Sequence, residues 1–74
     1  MSDVLILVGR PCASGGRRVT LRSGGGERVL GLAHSDHDVV VFLEAAGVFD
    51  PGEVLDDPQS VEWRGGRPHR WERP

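Results

Sequence analysis

Hydrophobic positions along the chain follow two rhythms. Val4 to Val8 is a continuous apolar run. Such a run reads as a strand covered on both faces and central in its sheet. Pro11 and the pair Gly15-Gly16 break the pattern, so residues 9–16 read as a loop. From Arg18 to Arg22 the pattern alternates: Val19 and Leu21 face one way, Arg18, Thr20 and Arg22 the other. That is a half-buried strand. Residues 23–26, one serine and three glycines, form a turn, and residues 27–33 return as a second strand with Leu30 and Leu32 on one face.

The rhythm then changes. Val39, Phe42, Leu43 and Ala46 recur at helical spacing within residues 35–48, and Val40, Val41 and Ala45 widen that face. Ser35 is placed to cap the start, with Asp36 and Asp38 in the first turn where they suit the helix dipole. Gly47 is placed for the left-handed position past the end, and Val48 can close back on Leu43. Three consecutive valines favour a strand, but the caps at both ends decide for a helix. Asp50, Pro51 and Glu53 signal a second helix start with Asp50 as cap, lasting only to about residue 56. Residues 60–64 and 68–72 then read as a closing hairpin around Gly65-Gly66. A three-residue loop pairs Val61 with Trp71, Trp63 with His69 and Glu62 with Arg70. Arg67 takes the left-handed place in that loop. Pro68 cannot donate to a ladder, which puts the last strand at an edge.

The expected architecture is one α+β domain over residues 1–74. Its small, mainly antiparallel sheet, in the order β-β-β-α-β-β, packs on one helix. A chain of 74 residues builds a core of modest size. The single cysteine, Cys12, excludes a disulfide within the chain. No run reaches the roughly 18 apolar residues that suggest a membrane helix. The opening apolar run is shorter than a signal-peptide core of about 7–15 residues and lacks a basic leader. The chain therefore reads as cytoplasmic, with no membrane partner.

All nine basic residues are arginine, and the net charge is −2. The distribution is uneven. Residues 10–28 carry five arginines against one glutamate, residues 35–62 carry eight acids and no arginine, and residues 63–74 carry four arginines against one glutamate. Two basic segments bracket an acidic middle.

Four candidate chemistries follow. His34 and His37 in HxxH spacing, with Cys12 and His69, form a possible zinc set; no cofactor is otherwise indicated. Cys12 with Arg10 nearby resembles an activated thiol, but a chain this short offers little room for a substrate cleft, and no catalytic residue is assigned. The glycine clusters match no phosphate-binding motif. Arg64, Arg67, Arg70 and Trp71 interleave cations with aromatics as nucleic-acid-binding surfaces do, yet the negative net charge argues against a nucleic-acid partner.

The reading that remains is a small non-enzymatic protein-binding module: a regulator, an inhibitor or an accessory subunit. The helix is apolar over more than half its circumference. Val40 and Val41, rimmed by Asp36 and Glu44, are therefore the expected contact for a protein partner or a second copy. Nucleic-acid binding is the second reading and a zinc-stabilised module the third.

Overall fold

The computed structural model describes residues 5–71. The elements run β1 (Leu5–Pro11), β2 (Arg17–Ser23), β3 (Gly26–Ala33), α1 (Asp36–Ala45), α2 (Pro51–Leu55) and β4 (Val61–Trp63). They form an α+β fold with a mixed sheet in the order β3-β2-β1-β4. β1, β2 and β3 are antiparallel neighbours, and β4 runs parallel to β1. β1, which holds residues 5–8 of the apolar run, is interior to the sheet, as its composition predicts.

The first hairpin turns through Gly24-Gly25, with Ser23 opposite Gly26. Its register then slips: Thr20 faces Val29, but Val19 faces Gly31, leaving Leu30 as an extra residue in β3. The bulge reverses the inside–outside alternation beyond it. Leu30 packs against the core and Ala33 is sealed, while Leu32 turns outward. The expectation that Leu30 and Leu32 share a face is thereby corrected. Gly31 sits where the Phe42 ring crosses β3. A Cβ at Gly31 would stand 2.9 Å from that ring, so any side chain there would force the ring to shift.

The helix is capped as its sequence predicts. Ser35 Oγ accepts the Asp38 N–H, and Asp38 Oδ2 in turn accepts the His34 N–H. At the other end Gly47, at φ 85°, lets its own N–H reach Glu44 O at 3.0 Å and the Val48 N–H reach Leu43 O at 2.9 Å. These two bonds form a Schellman closure. Val39 and Leu43, one turn apart, are fully buried against Ile6, Val8, Val19 and Val61. Leu55 of α2 joins the same cluster. Pro51 begins α2, but Asp50 makes no side-chain cap bond and stands left-handed at φ 51°. Its expected capping role is corrected accordingly.

The closing hairpin is also corrected. β4 lasts three residues and pairs Ile6 with Val61, Leu7 with Glu62 and Val8 with Trp63. Residues 64–71 form turns and irregular chain, not a return strand; residue 72 lies outside the described residues. Glu62 binds Arg64 on its own strand side instead of facing Arg70. The left-handed positions fall at Gly65 and His69, not at Arg67. The reason lies in one side chain from β2.

Candidate functional site

That side chain is Arg17. It sits two residues before Val19 and four before Leu21, in phase with the inward face of β2, and is fully buried. Its guanidinium donates to four backbone carbonyls: Nε to Gly9 at 2.6 Å, Nη1 to Arg67 at 2.9 Å and Arg70 at 3.0 Å, and Nη2 to Arg64 at 2.9 Å. Three of these carbonyls belong to the segment that the hairpin pattern assigned to a ladder. Bonded to Arg17, they need no partner strand.

Aromatic rings close the corner. Arg17 Cζ lies 5.3 Å from the Trp63 ring centre and 5.9 Å from that of Trp71. Trp63 meets Trp71 edge to face at 5.7 Å and His69 at 4.9 Å. Asp36, in the first turn of α1, accepts the Trp71 indole N–H at 2.9 Å and bonds His69 Nδ1 at 2.8 Å. Carbonyl dipoles and two indole faces thus stabilise a cation that forms no ion pair among the described residues. Desolvation lowers the Arg17 pKa from its ordinary value, and arginine remains protonated at neutral pH regardless. No buried side-chain nitrogen or oxygen among the described residues lacks a partner. Chemically the corner is saturated: it holds the C-terminal segment to the sheet.

The residues with a possible nucleic-acid role are placed around this corner. Arg64 bonds Glu62, and the carbonyls of Arg67 and Arg70 serve Arg17. Trp71 is half-buried with its N–H committed to Asp36. The possible zinc ligands are spread over separate elements. Cys12 is a half-buried free thiol in the β1–β2 turn, His34 precedes the cap of α1 with its ring against Gly16, His37 is exposed, and His69 faces Asp36. No group of three or more His, Cys, Asp or Glu side chains among the described residues is placed to hold a metal ion.

Of the four partner-binding candidates, Val41 is 44% exposed and Glu44 is exposed. Val40 packs against the core, and Asp36 is engaged by His69 and Trp71. Among the described residues, the most exposed large apolar side chain is one that sequence reasoning passed over. Phe49, just beyond the α1 cap, is 86% exposed. It lies on the rim of a cleft of about 510 Å³ lined by Leu21, Ala46, Val48 and Val54, among others. An adjoining hollow sets it beside Asp50, Glu53 and Asp57. Periodicity could not single out Phe49, since residues past a helix end carry no phase. Arg17 did carry a signal, its parity with Val19, but a strand begun at Arg18 hides it.

No helix among the described residues is long and apolar enough to cross a membrane. Compared with protein-family models, curated proteins and solved structures, the chain finds no match.

Proposed function

We propose that this chain is a small non-enzymatic protein-binding module whose contact surface runs from the exposed side of α1 to the α1–α2 corner. The observation that carries the reading is Phe49, an aromatic side chain 86% in solvent at the mouth of an apolar cleft. Exposed aromatic anchors set in a polar rim are the usual energetic centre of a protein interface. Val41 and Glu44 are exposed on α1, which leads into this corner, while Val40 packs against the core beneath. The rim is acidic: Asp50, Glu53 and Asp57 border Phe49. The partner is therefore a protein segment carrying arginine or lysine beside an apolar side chain that enters the cleft, with the charges steering the encounter.

Nucleic-acid binding draws less support, because Trp63, His69 and Trp71 spend their ring faces on one another and on Arg17.

The test is affinity capture with wild-type and Phe49→Ser baits, followed by titration of any captured protein in purified form. A protein that binds wild type at least about tenfold more tightly than the variant, with affinity falling as salt rises, supports the reading. Equal binding to both baits removes Phe49 from the interface. A captured species sensitive to nuclease and indifferent to Phe49→Ser would put nucleic acid in its place.

A further inference from the structure

β1 is apolar on both faces, and the helices cover only one, although Leu7 on the other is itself only 6% exposed. Ile6 and Val8 join the cluster under both helices. Alternation turns Leu5 and Leu7 to the opposite face, where among the described residues no helix packs. The register extends this outer face across the sheet. Leu7 lies beside Thr20 of β2 and Glu62 of β4, Thr20 lies beside Val29, and Arg18 lies beside Leu32. Val29 is 59% exposed and Leu32 41%, the bulge in β3 having turned Leu32 outward. A central strand with apolar residues on both faces belongs in a sheet covered on both sides.

We infer that a second copy of this chain docks on this face, sheet against sheet, in a two-fold dimer. Charge selects that occupant. The outer face carries Arg18, Arg22 and Arg64 with Glu27 and Glu62, and four of these five charges are already matched as Arg22–Glu27 and Arg64–Glu62. A two-fold copy therefore meets both signs, as a self-complementary interface requires. The helix side has no such balance: residues 36–57 hold seven acids and no arginine, so two copies meeting there would repel. Area sets the strength. Three strands of seven or eight residues and one of three, about 4.8 Å apart at about 3.3 Å per residue, offer on the order of 400 Å² in projection. Two copies then bury on the order of 1,000 Å², the low end of specific interfaces. The dimer is accordingly weak and concentration-dependent. It is independent of the partner surface at Phe49, which lies on the other side of the sheet.

Sedimentation velocity from about 1 μM to about 1 mM tests this on the intact chain, a span that brackets weak association. The expected result is a mass rising towards twice that of the monomer. Leu32→Glu and Val29→Glu, singly and together, should each weaken association by about tenfold or more, because each puts an unpaired carboxylate into the apolar part of the contact. Circular dichroism should be unchanged for the single variants, whose side chains already face water. Phe49→Ser should dimerise like wild type. A wild type that stays monomeric across the range overturns the inference. So does a dimer that survives both single glutamate variants or is lost with Phe49→Ser, since the contact would then lie elsewhere.

Discussion

Ile6 and Leu7 are neighbours in β1, and both are nearly sealed from water, at 0% and 6% exposure. They are sealed on opposite faces. Ile6 lies under α1 and α2 with Val8, Val19 and Val61, in a layer that interdigitates with Val39 and Leu43. Leu7 stands in register between Thr20 and Glu62 with no helix over it among the described residues, and further across the sheet Val29 and Leu32 stay exposed. The covered face holds the core; the opposite face and the Phe49 corner are where the proposed contacts lie. An apolar pattern thus states how many faces need cover, and not what covers them.

Substitutions on the two faces should separate accordingly. The largest effect is expected at Arg17, which joins the covered face to the C-terminal segment. Arg17→Met keeps much of the volume but strands the carbonyls of Gly9, Arg64, Arg67 and Arg70. A loss of about 3 kcal/mol or more is expected. Against a total stability of about 5–15 kcal/mol for a folded domain, that is a large fraction, to be read as a lowered midpoint in urea melts. Stability within 1 kcal/mol of wild type would mean that the guanidinium is replaceable by water.

Leu43→Ala removes the centre of the helix–sheet contact and should cost about 2–5 kcal/mol in the same melts. A smaller loss would indicate that the core collapses around the gap. Next comes Gly47→Val, at about 1 kcal/mol or more, because a β-branched residue resists the φ of 85° that the Schellman closure needs. Trp71→Phe retains the ring against Trp63 but leaves Asp36 without the indole N–H, for about 1 kcal/mol. Its double-mutant cycle with Asp36→Ala should show coupling, and additive effects would mean that the bond contributes nothing to stability. Smallest is Phe49→Ser, expected within about 0.5 kcal/mol of wild type because the ring touches mainly solvent. A larger destabilisation would make Phe49 part of the fold and remove the basis for a partner there.

The aromatic corners sharpen the same lesson. Trp63, Trp71 and Phe49 look alike in sequence, each an aromatic residue next to a charged one. Two of them end up around a buried guanidinium and the third in water. Local pattern could not separate them. The difference depends on Arg17, more than forty residues earlier in the chain, reaching the carbonyls that follow Trp63. The same long reach explains why the hairpin expected at residues 60–72 does not form. Its cross-strand pairs were chemically sensible, but a ladder and a guanidinium compete for the same carbonyls, and the cation already buried at that place takes them.

What this sequence determined by itself is what short-range chemistry decides. The helix with its serine cap and glycine closure, the Gly24-Gly25 hairpin, the interior position of the apolar strand and the start of a short helix at Pro51 all rest on neighbours within about five residues. Steric limits on φ and ψ and local hydrogen bonds act at that distance. Tertiary structure decided the rest. It set β4 parallel to β1, turned Leu32 outward through the bulge, left Phe49 in solvent and drew Asp36 to Trp71 and His69. Each of these outcomes is a competition between partners far apart in sequence. Such a competition is settled by which groups the fold brings within hydrogen-bond or packing distance, and a linear pattern does not contain that distance.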